Sequence, residues 1–439
     1  MKLLQQSIKL IVACGIAAAC LNAQDFYWNT ASARSMALGG VYLPSSSGAI
    51  DALAANPAGL TELSARTIDL SITSIFARGS FSNSVNSDSH LKDSPGVVPY
   101  GAFGTPIGHS RFSLGVGVVP ELMSVSNWNY VDAPGAAGAS YGLQQQKSEI
   151  VAARAVAGLG VALSRKISVG VSAGAVYNSN TLDAPYIFQS NPVLAGLKTL
   201  LDLHTTGVGW NTSVGVIAHP SSRVQVNAAW KSHTIIDSTG SASGNLSQQF
   251  SALGLAAPPD FNYSARVHNV LPQSVLAGVS WRVDGRWIFG LQSNWVNWSN
   301  AFNGLPVYLT NGTNPAVNGL LNSTSLNDRV PVLWKDQYSF RGGVERLLTE
   351  SISVRGGFAH SNNPVPGSTL SPLTAAIMTN ELSTGIGYRH GRWHLDLGYA
   401  VNPTASESVR QSALLSGEYS NSTVRIGTQM LTLNSGFQF

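Results

Sequence analysis

The segment Gly170-Val171-Ser172-Ala173-Gly174 spells the G-x-S-x-G pattern that presents a nucleophilic serine in many hydrolases. That chemistry needs the serine on a sharp turn from strand to helix, with its hydroxyl clear of the sheet. Here the neighbouring residues simply alternate. Ile167, Val169, Val171, Ala173, Ala175 and Tyr177 fall on one side, and Ser168, Gly170, Ser172, Gly174 and Asn178 on the other. The serine therefore sits mid-strand, and the hydrolase reading fails. The nine histidines are scattered. His390 and His394 have the spacing at which one helix face offers two imidazoles to zinc, but Gly391 and Arg392 put a turn between them. No phosphate-cradling glycine loop is present, and both cysteines, Cys14 and Cys20, lie in the first 23 residues. The sequence predicts no catalytic residue, metal or cofactor.

The alternation that removes the serine is the main signal. In 223–231, Val224, Val226, Ala228 and Trp230 oppose Arg223, Gln225, Asn227 and Lys231. In 393–400, Trp393, Leu395, Leu397 and Tyr399 oppose His394, Asp396, Gly398 and Ala400. A strand that shows one face to lipid and the other to a polar interior has this period of two, with Trp and Tyr near its ends at the membrane interfaces. Composition agrees: only 11% of residues are charged, 44 are glycine and mean hydropathy is slightly positive, yet beyond residue 23 no stretch reaches the ~18 apolar residues of a spanning helix. The N-terminus reads as a signal peptide, with Lys2 and Lys9, an apolar run from Leu10 to Ala19, and Leu21-Asn22-Ala23 before a mature start at Gln24. Cleavage before Cys20 as a lipoprotein is the alternative, although the large aliphatic residue usual three positions earlier is missing. Without the two signal lysines the bases nearly balance 22 acids, which argues against nucleic acid as a partner. The chain closes on Leu431-Thr-Leu433-Asn-Ser435-Gly-Phe437-Gln-Phe439, a strand with a terminal aromatic, the ending by which barrel-assembly machinery would take up a bacterial outer-membrane barrel.

Tight polar turns at 108–110, 164–166, 219–222, 284–285, 348–350 and 390–392 alternate with longer links, the asymmetry of short periplasmic turns and long outer loops. Strands are expected at 66–78, 96–107, 111–122, 147–163, 166–180, 204–218, 223–236, 263–283, 286–299, 334–347, 351–360, 379–390, 392–402 and 422–439. The fold class is therefore all-β, a transmembrane antiparallel barrel of about 14 strands, spanning 66–439. Parity slips near Gln429, which suggests a bulge there. Residues 24–65 show no alternation. Within them Asn56-Pro57-Ala58 would make a compact bend, proline fixing its own φ and holding Asn56 extended, suited to a plug inside the barrel or to a plain turn before the first strand. In the third strand Pro120 deletes a ladder hydrogen bond, marking either a kink or the start of an outer loop. Two outer loops read as helices: in 190–203 Leu194, Leu197, Leu200 and Leu201 share a face, and in 245–256 Leu246, Phe250 and Leu253 do.

Several of these residues stand in the order seen in a known family. Asn56-Pro57-Ala58 comes first. Then follow Leu271-Pro272 leading through Gly278 to Trp295 and Trp298-Ser299, Trp334-Lys335-Asp336-Gln-Tyr338, and Val354-Arg355-Gly356-Gly357-Phe358. Pro364-Val365-Pro366 and Gly385-Ile-Gly387-Tyr388 complete the series. The chain resembles the FadL/TodX family of outer-membrane transporters for long-chain fatty acids and hydrocarbons over nearly all of its mature length. The resemblance implies that 24–65 is a hatch carrying the Asn-Pro-Ala signature. It implies that a kink at Gly115, Gly117 and Pro120 opens a window in the wall, and that the two outer loops pair into an apolar groove that captures ligand. It places Lys335 where the family binds a carboxylate, although a charge in a polar lumen would look the same. The family's second cation, an arginine after Ala-Val-Tyr of the fifth strand, is absent from Ala175-Val176-Tyr177-Asn178-Ser179-Asn180, which weakens the case for fatty acid and not that for hydrocarbon.

The expected function is passive transport of a hydrophobic small molecule inward across the outer membrane, in contact with its lipid. A general porin or an adhesin is the alternative, but a porin calls for a charged, open lumen. Ligand would leave once the plug shifts.

Overall fold

The computed structural model describes residues 32–44, 48–92 and 95–439; the signal peptide expected at 1–23 and residues 24–31 lie outside these. Fourteen antiparallel strands close a barrel. They are β1 (Thr67–Ser82), β2 (Gly96–Pro106), β3 (Phe112–Val131), β4 (Leu143–Ala162), β5 (Ile167–Ile187), β6 (Lys198–Ala218), β7 (Val224–Lys231 continued by Thr234–Asn245), β8 (Asp260–Leu271 continued by Ser274–Arg282) and β9 (Trp287–Val296). After them come β10 (Gln337–Leu347), β11 (Ile352–Ser361), β12 (Asn380–His390), β13 (Trp393–Val409) and β14 (Ser422–Gln438). The last strand pairs with the first from Thr67↔Gln438 to Ser82↔Thr423, which closes the sheet. No helix among the described residues is long and apolar enough to cross a membrane.

The strands are polar inside and apolar outside. On β1, Thr67, Asp69, Ser71 and Thr73 are buried while Ile68, Leu70, Ile72 and Phe76 are exposed. This inversion of a soluble protein is what lipid selects, because only the outer face needs to be apolar. β8 breaks at Pro272, which offers no N–H to the ladder. Strands β3, β5 and β6 run further outward than their alternation predicts, to Val131, to Ile187 and from Lys198, because pairing continues above the membrane where no lipid enforces the pattern. No bulge occurs at Gln429: β14 keeps its inward set through Met430, Thr428, Ile426 and Val424, and the register shift lies opposite, between Asn402 and Ala405 on β13. The parity slip in the sequence arises because the inward face turns apolar in the outer half of the lumen.

Residues 33–44 and 48–63 fill the periplasmic half of the barrel with α1 (Ala33–Ala37), α2 (Ala49–Ala54) and a 3-10 turn (Pro57–Glu62), almost entirely buried. The Asn56 side chain accepts from Ala58 N at 3.1 Å and donates to the carbonyls of Val216 and Ala228 at 3.2 and 3.1 Å, so one residue caps the turn and ties it to β6 and β7. Inward glycines make the seat. A Cβ on Gly170 would stand 2.2 Å from Ala58 N, one on Gly357 2.1 Å from Gly39 N, and one on Gly398 2.4 Å from Ala33 O. Below, Glu345 takes Arg34 of α1 at 2.8 Å and Arg355 at 2.6 Å, and Arg355 reaches Asp396 at 2.6 Å, an ionic tie from plug to wall.

Candidate functional site

Above the plug, part of the lumen is apolar. The loop between β11 and β12 dips into it, burying Val365, Leu370 and Ala375 to Met378. Beside this loop lies an inner cavity of about 190 Å³, walled by Ile150, Leu182, Leu203, Val267, Phe302, Val332, Trp334 and Leu373 among others. Its aromatic side is a packed trio, with Trp298 edge-on to Phe302 (5.1 Å) and Trp334 (5.0 Å), and Phe302 stacked on Trp334 at 4.9 Å.

The charged groups at this cavity are acidic. Glu149, Asp328 and Glu418 line it, and among the described lining residues there is no lysine or arginine. Burial alone would raise Asp328, but the Tyr186 hydroxyl, the Gln189 and Ser190 amides and the Ser190 hydroxyl hold it below the ordinary carboxylate range. Burial pushes Glu418 up to about 7 against the pull of Lys198. Lys198 is fully buried and binds Asp132 at 2.7 Å, the Ala133 carbonyl at 2.6 Å and Glu418 at 3.4 Å, which clasps three outer loops together.

Outside this cavity, between the outer loops, is an apolar groove of about 370 Å³. Leu194, Leu197, Leu246 and Phe250 line it, Leu201 lines the inner cavity, and Leu253 is exposed and lines neither. One of the two expected loop helices forms, α3 (Ser247–Ala252). Segment 190–203 is no helix: Asn191 accepts from Val193 N and Leu194 N in a turn, Gly196 takes a left-handed φ of 86°, and β6 begins at Lys198. Leu194 and Leu197 still reach the groove, from the turn, and Leu201 reaches the inner cavity from β6, while Leu200 lines neither. After α4 (Trp298–Ala301) comes α5 (Pro315–Leu321), which sequence reading missed; it adds Ala316, Val317 and Leu320 to the groove. Its signal was Asn314-Pro315: the asparagine side chain accepts from Val317 N at 3.0 Å and proline holds the first helical position.

Lys335 does not reach either cavity. Its side chain is exposed, and its amide bonds the Pro364 carbonyl at 2.8 Å, while the preceding Trp334 turns inward.

The third strand does break. β2 and β3 pair only from Pro106↔Ser113 to Gly101↔Val118, while β3 stays on β4 with a register shift between Pro120 and Leu122. Pro120 is thus at the kink and Glu121 is the extra residue. Gly117 lies just below, its missing Cβ 2.7 Å from the Gly101 carbonyl, whereas Gly115 is regularly paired and seats Leu60 of the plug. Glu121 turns into the lumen, where Lys231 holds it at 3.1 Å and Asn211 donates at 3.2 Å. Among the described residues no ladder pair joins β2 residues 96–100 to β3 residues 119–127, and a bridge Leu91↔Trp128 closes the wall above. The ladder between β2 and β3 is thus interrupted in the barrel side, where Val119 and Leu122 to Ser126 are all buried. Trp128 Nε1 donates to the Pro372 carbonyl at 3.0 Å and Ser126 to that of Leu373 at 3.3 Å, so the inner loop is tied to the kinked strand.

Residues 11–439 match the model of the outer membrane protein transport protein family (OMPP1/FadL/TodX). The chain belongs to this family. As an outer-membrane transport protein for hydrophobic compounds, it shares its barrel with solved relatives of low identity. The toluene transporter TodX of Pseudomonas putida is 17% identical over 95% of this chain and 100% of that one, with a TM-score of 0.74. The toluene transporter TbuX of Ralstonia pickettii is 17% identical over 94% and 99%, TM-score 0.70, and a FadL homologue of Pseudomonas aeruginosa is 14% identical over 97% and 99%, TM-score 0.72. These likenesses show the fold. No curated protein matches the sequence.

Proposed function

We propose that this transporter carries small uncharged apolar molecules, of about the size of one aromatic ring, from the outer groove to the inner cavity and out through the wall between β2 and β3. The supporting observation is the inner cavity's lining: apolar walls, three carboxylates and no cation among the described lining residues. A buried carboxylate ligand needs a cationic partner. A fatty acid here would meet Asp328 and Glu418 instead, and exposed Lys335 lies outside the cavity. Size agrees, since an apolar protein cavity of ~150 Å³ holds benzene and this one is about 190 Å³. Two of the structural relatives are toluene transporters.

The glycine seat and the Glu345 network oppose the expected release by movement of the plug. The space beneath is lined by the charged Arg34, Asp51, Glu345, Arg355 and Asp396 together with Ile50, Leu63 and Ile288, a poorer path for an apolar solute than an all-apolar one. Lateral release leaves the plug in place. The cavity reaches β3 at Ser124, just past the bulge, so the step required is the parting of the inner loop from β3. The test is uptake of labelled toluene and of a labelled long-chain fatty acid by Gram-negative cells with and without the protein. Protein-dependent toluene uptake supports the reading; uptake of fatty acid alone overturns it.

A further inference from the structure

The outer groove and the inner cavity share three wall residues, Phe188, Phe261 and Leu326. All three are buried, and they come from separate elements: the loop after β5, the start of β8, and the first residue of the outer hairpin strand Leu326–Pro331. Each aromatic is backed edge-on by a tyrosine, Phe188 by Tyr186 at 5.5 Å and Phe261 by Tyr263 at 5.7 Å. We propose that Phe188, Phe261 and Leu326 form the size-selecting partition of the transport path, and that Asp328 positions it.

The role of Asp328 follows from its bonds. It sits two residues after Leu326 and accepts from the Tyr186 hydroxyl, from the amides of Gln189 (2.8 Å), Ser190 (2.6 Å) and Asn191 (3.1 Å), and from the Ser190 hydroxyl (2.8 Å). One carboxylate therefore staples the loop that carries Phe188 to the hairpin that carries Leu326. Hydrogen bonds to a charged acceptor are stronger than neutral ones and fix geometry. A partition held this way yields by side-chain rotation, which admits a flat single ring, and resists the wider opening that two fused rings require. The groove outside, at about 370 Å³, has room for the larger molecule, so rejection occurs at the wall and not at capture.

This inference rests on the path proposed above, and its test separates the two. Uptake of toluene and naphthalene is measured in cells expressing wild type, Phe188→Ala, Leu326→Ala, Asp328→Asn, and Val193→Ala, an exposed position on the same loop that lines neither cavity. Surface levels and heat-modifiable mobility confirm folding for each. The naphthalene-to-toluene rate ratio should rise by about tenfold in Phe188→Ala and Leu326→Ala, the discrimination a small change in an apolar pocket supports. It should rise in the same direction in Asp328→Asn and stay at the wild-type value in Val193→Ala. A ratio unchanged in whichever of the two alanine variants folds refutes the partition while the path stands. A wild type without protein-dependent toluene uptake refutes both.

Discussion

Replacing Gly170 with alanine should unseat the plug. The new Cβ would lie 2.2 Å from Ala58 N, 2.3 Å from the Pro57 carbonyl carbon and 2.6 Å from its oxygen. All three are backbone atoms, and proline cannot rotate its φ to yield. Forced overlap in a packed interior costs about 1–3 kcal/mol. If the turn lifts away, Asn56 also loses its bonds to Val216 and Ala228, at about 1 kcal/mol each. The expected loss is therefore about 3–5 kcal/mol, falling on the plug and not on the wall. The assay pairs the thermal transition of the folded barrel, read by heat-modifiable mobility, with permeability of cells to a polar antibiotic that the closed barrel excludes. Gly342→Ala is the control, because its Cβ would find only Leu291 Cδ2 at an ordinary 3.5 Å. If Gly170→Ala matches Gly342→Ala in both stability and permeability, the plug does not depend on the glycine seat and the reasoning is wrong.

Lys231→Met should destabilise the barrel by about 3–5 kcal/mol, because it strands the buried Glu121 carboxylate; chemical denaturation checks this, and adding Glu121→Gln should recover most of the loss. The outer-loop clasp should loosen with rising pH. Glu418 titrates at 4.5 in an unfolded chain and about 7 when buried in the clasp, so the folded form holds the extra proton. The stabilisation is complete below the lower value and is lost as pH rises through the upper one. Amide exchange in residues 410–421 should thus be slower at about pH 5 than at about pH 8 after correction for intrinsic rates, and the opposite order would contradict the assignment.

Strand alternation made the barrel legible because lipid imposes a period of two wherever a strand crosses it. Above the membrane that constraint ends, and there β3, β5 and β6 ran beyond their predicted limits. The Asn56-Pro57-Ala58 bend was readable from local chemistry, while its glycine seat was not, since Gly170 and Gly357 are distant in sequence and ordinary among 44 glycines. The groove leucines Leu194 and Leu197 were found through helical spacing at 190–203, although a turn presents them there. Lys198 carried no signal at all: its partners Asp132 and Glu418 are 66 and 220 residues away. The carboxylates facing the inner cavity were missed for the same reason, as Glu149, Asp328 and Glu418 meet only when the barrel closes.

The claim that the path takes uncharged ligands is tested most directly by binding of toluene and of benzoate, a matched pair differing by one carboxylate, to the purified protein in detergent. Trp298 and Trp334, packed at the inner cavity, supply the fluorescence signal. Toluene should bind at least ~100-fold more tightly than benzoate, because an unpaired anion loses several kcal/mol on entering such a site. Benzoate binding as tight as toluene or tighter would show that a cation serves the cavity and would contradict the account.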